Sequence, residues 1–252
     1  MKKNTSFKRK LCLDLGNTRI KAAIFEGKEL IFLQIYETLS AKELKDLVQK
    51  HQIQHSIISS VRNHPPHFKE LLQSCDTFIE LSHLTSIPIQ NNYGTPKTLG
   101  KDRLAAAIGA VALYPNSNLL VIDAGTCITF DFIDQEQTYH GGSISMGIDM
   151  RFKALNTFTD QLPLIERQTI GNLIGRNTRQ SILNGVIGGT IAELDGFIEQ
   201  YRSQYAPLTV LITGGDAGFF DTKLKSEIFA CPNLVLLGLN KILDYNVAKD
   251  LE

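Results

Sequence analysis

The feature that most constrains this chain is an internal repeat. LCLDLGNTRIKAAIF at 11–25 and LVIDAGTCITFDFI at 120–133 share one plan. Each is an apolar run ending in an aspartate, a glycine two residues later, and a second apolar run, which reads as strand, tight turn, strand. The aspartates, Asp14 and Asp123, lie 109 positions apart (123 − 14). The elements that follow also keep their order: a third strand is expected at 30–36 in the first half and at 139–145 in the second. Chance likeness between two buried hairpins is the bland alternative, and the matched order favours duplication. The expectation is α/β, two similar duplicated domains at 1–115 and 116–252, each opening with an acidic hairpin. Facing each other, they would bring both turns to one cleft.

The rest of the pattern fits that plan. Ala41–His51 has helical spacing with Ser40 as a possible N-cap, and 56–60 reads as a buried strand. Pro65, Pro66 and Pro88 punctuate a loop-rich stretch over 61–100, with one short helix near 67–73. His55, His64 and His67 are expected on loops, without the further ligands a zinc site needs. An Ala-rich helix is expected over 102–113, ending before Pro115. Further helices are expected at 147–155 and, long and amphipathic, at 178–201. A strand at 208–212 runs into Thr213-Gly214-Gly215, and two short elements finish the chain.

Composition narrows the function classes. Lys and Arg total 26 against 26 Asp and Glu, so no global field draws a polyanion and no nucleic-acid partner is expected. Residues 1–9 read as a basic tail; Asp14 interrupts the apolar stretch that a signal peptide would need. No run of about 18 apolar residues occurs, so no membrane span is expected. Four dispersed cysteines read as reduced, largely buried thiols of a cytoplasmic protein.

The residues able to do chemistry cluster at the repeat. In Asp14-x-Gly16-Asn17-Thr18-x-x-Lys21, glycine admits close backbone approach to a phosphate. Asn17 and Thr18 can donate to its oxygens, and Lys21 brings a positive charge. Asp14 would act only through a divalent cation or its water shell. Asp123-Ala124-Gly125-Thr126 is the matching second loop. Each alone is equally well a hairpin turn. Gly100-Lys101-Asp102-Arg103 stands at the start of the Ala-rich helix. There Asp102 either caps the helix or takes a proton from a substrate hydroxyl beside an anion-clamping Arg. Gly94 to Lys101 has five residues between its glycines where a Walker A loop has four, and Asp follows the Lys, so it is not a P-loop.

Together these segments resemble one family. The first loop looks like the first phosphate motif of the acetate and sugar kinase, heat-shock chaperone and actin superfamily. With Lys21, G-x-D-R, D-A-G-T, G-G-x-I at Gly141–Ile144 and the late T-G-G, the ordered set is similar to type III pantothenate kinases. That resemblance implies two ribonuclease-H-like domains of the actin-like ATPase superfamily with the active site in the cleft between them. It implies transfer of the ATP γ-phosphate to pantothenate, the first step of coenzyme A biosynthesis. Asp14, Gly16, Asn17, Thr18, Lys21, Gly125 and Thr126 would hold ATP, with magnesium near Asp14. Tyr93, Gly100, Lys101, Asp102, Arg103 and Thr178 would hold pantothenate, Asp102 being general base and Thr178 coming across a homodimer interface. Asp123 would help bind potassium or ammonium. The family usually has Pro where Met146 stands.

Three other readings compete: another phosphotransferase or phosphohydrolase on the same fold, a non-catalytic regulatory relative, and an α/β protein whose glycines are only turns. Tyr93 and G-x-D-R speak against the first. Retention of Asp14, Lys21 and Asp102 speaks against the second, and the ordered motifs speak against the third.

Overall fold

A computed structural model describes residues 8–62, 65–169, 171 and 173–249. The chain forms two compact units, one of residues 1–113 and 234–252, the other of 114–233.

In the first unit β1 (Arg9–Leu15), β2 (Ile20–Glu26) and β3 (Glu29–Tyr36) form an antiparallel meander. After α1 (Ala41–Lys50), β4 (His55–Ser60) pairs with β1 in parallel. α2 (Pro66–Leu72) leads to β5 (Thr77–Glu80), parallel to β4. The sheet order is β3-β2-β1-β4-β5. A two-residue strand β6 (Gln90–Asn91) and a 3₁₀ turn at 96–98 precede α3 (Lys101–Leu113).

The second unit repeats the construction. β7 (Asn118–Ala124), β8 (Cys127–Ile133) and β9 (Thr138–Met146) form the meander. Next come α4 (Ile148–Thr157), α5 (Thr178–Leu183), a π-helical turn at 184–188 and α6 (Gly189–Tyr205). β10 (Leu208–Thr213) pairs with β7 in parallel, then come α7 (Ala217–Phe220) and β11 (Phe229–Ala230), parallel to β10. Within the unit the order runs β9-β8-β7-β10-β11, which is the first sheet's order and sense strand for strand. The repeat seen in 11–25 and 120–133 therefore extends over a whole five-stranded sheet in each unit.

Alternation builds each core. Leu11, Leu13, Leu15, Ala22 and Ile24 face one side of the first sheet and pack against Leu44 and Leu47 of α1 and Phe68 and Leu72 of α2. Leu120, Ile122, Ile128 and Phe130 do the same against Ile148, Phe152, Val186, Leu194 and Ile198. Ser40 caps α1 in a full capping box with Glu43, as the sequence predicts.

Several expectations are corrected. The chain ends in a 16-residue helix, α8 (Leu234–Lys249), not in two short elements. α8 packs on α3, β1 and β4, within the first unit, whereas the sequence boundary assigns 116–252 to the second. The stretch 61–100 contains β5. Residues 1–7 and His64 lie outside the described residues, but Arg9 already belongs to β1. His55 lies in β4 and is buried, and His67 lies in α2. The two prolines do not forbid that helix, because Pro at a first helical position gives up only an N–H that has no partner there. Of the four free cysteines only Cys12 is buried. Among the described residues no helix is long and apolar enough to cross a membrane.

Candidate active site

In the first unit the turn after β1 closes with Gly16 N donating to Arg19 O at 3.1 Å. Asn17 and Thr18 are exposed on it. Asp14 and Lys21 are register partners across β1 and β2, so carboxylate and ammonium start from one face of the hairpin. Gly100 precedes α3, and Lys101, Asp102 and Arg103 form its first turn. Asp102 Oδ1 accepts from the Arg103 backbone N at 2.8 Å. The Arg103 guanidinium, largely buried, stands 5.8 Å from the Tyr93 ring centre, a cation–π distance. The structure therefore brings Tyr93 and Arg103 together. Lys101 instead lines a small cavity with Leu81, His83, Ile87 and Leu104.

In the second unit Asp123 sits near the end of β7, and Gly125 N donates to Cys127 O at 2.9 Å to close the loop. Two other segments press on that loop. A Cβ on Gly147 would lie 2.2 Å from Gly125 O, so only glycine lets α4 begin there. Gly214 has φ +94°, and a Cβ there would lie 2.2 Å from Ala124 O and 2.4 Å from Asp123 Oδ1. Asp216 N donates to Ala124 O at 2.9 Å. The T-G-G segment is thus a turn that fits the second loop because its glycine takes a left-handed conformation and lacks a side chain. Thr178 opens α5, which Asn177 caps by accepting from Gln180 N.

Sequence reading missed a clamp across these segments. Arg167 donates Nη1 and Nη2 to the two oxygens of Asp216, at 2.6 and 2.9 Å, and Nε to Asp149 Oδ1 at 2.6 Å. The bidentate hydrogen bonds to Asp216 push the guanidinium pKa above its ordinary value, against partial burial. Asp149 lies in the first turn of α4 and Asp216 follows T-G-G, so one side chain ties together both segments that cradle the loop. No local pattern marks Arg167, which lies in an irregular stretch.

The comparisons agree with this architecture. Residues 10–200 match the sequence model of the family described as Type III pantothenate kinase. A type III pantothenate kinase of Cytophaga hutchinsonii is 43% identical over 237 residues, covering 94% of this chain and 99% of that protein. One of Phocaeicola vulgatus is 46% identical over 237 residues, covering 94% and 98%. Among solved structures, a Baf family protein from Campylobacter jejuni superposes with a TM-score of 0.60 at 22% identity, covering 94% of this chain and 99% of that one. Component A of (R)-2-hydroxyglutaryl-CoA dehydratase from Acidaminococcus fermentans reaches 0.54 at 14%, covering 97% and 100%. These two share the fold, a duplicated two-sheet α/β architecture. With its motifs in order, its two matching sheets and relatives like these over nearly its whole length, the chain belongs to the type III pantothenate kinase family.

Proposed function

We propose that this chain transfers the γ-phosphate of ATP to the primary hydroxyl of pantothenate, with Asp102 as the general base. The observation that carries the reading is Asp102 and Arg103 in the first turn of α3, with Tyr93 against Arg103, in a chain that matches the family over residues 10–200. In this assignment the Asp102 carboxylate takes the hydroxyl proton as the oxygen attacks phosphorus. Arg103 meets the pantothenate carboxylate or the phosphoryl group, and Tyr93, Gly100 and Lys101 complete the substrate side. Asp14, Gly16, Asn17, Thr18 and Lys21 hold the ATP phosphates from one turn, Gly125 and Thr126 from the other. Phosphoryl transfer asks a protein mainly for position and charge, and these groups supply both.

The donor set fits the ions. Asp14 is the residue that would meet, through water, a magnesium ion carried on the ATP phosphates. When bound, magnesium neutralises charge on the phosphates. For potassium or ammonium, Asp123 is the candidate ligand: a Gly214 side chain would stand 2.4 Å from Asp123 Oδ1, so glycine leaves that carboxylate room. Thr178 reaches the substrate of a second copy in this reading. Ile144, Met146, Leu173 and Ile174 in the same unit are exposed and available to a second copy.

The test is ADP release with ATP and magnesium, with and without pantothenate, in potassium and in sodium buffer. Pantothenate-dependent release that needs potassium is the expected result. Turnover indifferent to pantothenate refutes the substrate, and equal rates in sodium refute the cation site.

A further inference from the structure

The duplication preserves a feature beyond the two loops. Asp14 of β1 has Ser59 of β4 opposite it in parallel register. Asp123 of β7 has Thr213 of β10 opposite it, also in parallel register. Partners in register emerge on one face of a sheet. Each strand-end aspartate therefore shares its face with a hydroxyl from the next parallel strand. Both hydroxyl residues are buried, Ser59 at 0% and Thr213 at 2% exposure. The backbone bond from Val61 N to Leu15 O, at 3.3 Å, continues the register just past Ser59.

The Ser59 hydroxyl is buried alone, its Oγ without a hydrogen-bond partner among the described residues. A fully buried hydroxyl without a partner carries a desolvation penalty that alanine would not. Such a group calls for a partner that the described residues do not supply; β4 carries two such serines, Ser56 and Ser59, and Ser59 is the one in register with a carboxylate. Directly across the register from it is the carboxylate assigned to the ATP side.

We propose that Ser59 is a positioning residue for the nucleotide: when magnesium–ATP is bound, its hydroxyl donates to the Asp14 carboxylate and aims it at the hydrated cation. Thr213 stands in the same relation to Asp123 in the second unit. The inference rests on Asp14 serving the ATP phosphates. Sequence alone hides the pair, because Ser59 follows its aspartate by 45 positions (59 − 14) and Thr213 follows its own by 90 (213 − 123).

The test compares Ser59→Ala, Ser56→Ala and Asp14→Asn with the wild-type chain. Ser56 is a fully buried serine on the same strand but on the opposite face. Calorimetry measures binding of a non-hydrolysable ATP analogue with and without magnesium, and urea midpoints are taken without ligand. Ser59→Ala is expected to keep or raise the urea midpoint. It should weaken magnesium–analogue binding about three- to tenfold, the worth of one hydrogen bond, and leave magnesium-free binding unchanged. Ser56→Ala should bind as wild type does. Wild-type magnesium–analogue affinity in Ser59→Ala overturns the inference, and so does a lowered midpoint, which would make Ser59 structural. If Asp14→Asn loses affinity while Ser59→Ala does not, only this inference falls. If Asp14→Asn itself binds normally, the assignment of Asp14 falls with it.

Discussion

Gly238→Ala sets two physical effects against each other. Gly238 lies in the middle of α8, where alanine is the better helix former by about 1 kcal/mol. Propensity alone therefore predicts a stabilised protein. The packing predicts the reverse. A Cβ on Gly238 would stand 1.7 Å from the Ala105 carbonyl oxygen of α3, and one on Gly109 of α3 would stand 2.4 Å from Leu234 O of α8. The two helices touch backbone to backbone at this pair. Bringing 1.7 Å to the 3.0 Å that real Cβ contacts respect moves α8 off α3 by more than 1 Å at that point. Backbone on both sides leaves no flexible side chain to give way. A gap of even about 0.5–1 Å forfeits about a quarter to a half of the contact attraction around it. Overpacking of a well-filled core typically costs about 1–3 kcal/mol, occasionally more. Here the residues alongside, Ala105, Ile108, Leu234 and Leu239, are buried. We expect the strain to exceed the propensity gain and leave a net loss of about 1–2 kcal/mol, or roughly 2–8 °C in Tm for a chain of this size. Gly196→Ala in α6 is the control, since nothing lies within 4 Å of its Cβ; it should gain about 0.5–1 kcal/mol. Calorimetric melts of the three proteins decide the matter. A Gly238→Ala protein as stable as wild type, or more stable, would refute the close-approach argument. Because α3 also presents Asp102, kcat should fall in Gly238→Ala and stay unchanged in Gly196→Ala.

Three further outcomes are expected. Asp102→Asn should lower kcat by about 10²–10⁴, the usual worth of a general base, with the fold intact by circular dichroism; near-normal turnover removes Asp102 from that role. Asp244→Ala should destabilise by about 2 kcal/mol, because Lys10, with a side chain 5% exposed, loses its ion-pair partner at 2.5 Å and keeps, among the described residues, only Gly27 O. That figure is below the worth of a fully buried pair because Asp244 is 42% exposed. Adding Lys10→Met should recover most of the loss in urea midpoints. His55 is held below its ordinary pKa of 6.5 chiefly by burial. The unfolded chain therefore binds a proton there that the folded one refuses, and stability should fall as pH drops below 6.5. The slope is at most about 1.4 kcal/mol per pH unit for this one group. His55→Leu should flatten the fall between pH 7.5 and 5.5 in urea titrations, and an unchanged slope would exclude His55 as its source.

The sequence by itself determined whatever is local. Two acidic hairpins, the Ser40 cap and the helix from 102 to 113 are legible because period-2 and period-3.6 patterns and capping side chains act over a few residues. So was the order of the motifs, which carries the family and the candidate residues with it. Tertiary structure alone decided whatever depends on partners far apart in the chain. α8 is apolar on most of its surface, so its pattern cannot say which sheet it covers. Its place in the first unit follows from two glycines, Gly109 and Gly238, that meet only after folding. Arg167 reads as an ordinary surface residue until Asp149 and Asp216 arrive beside it. Ser59 is one serine among many until β4, reached through β2, β3 and α1, pairs in parallel with β1 and sets it opposite Asp14. A crossover leaves no fixed spacing in the sequence, so a contact made through one is decided by register and packing and not by any motif.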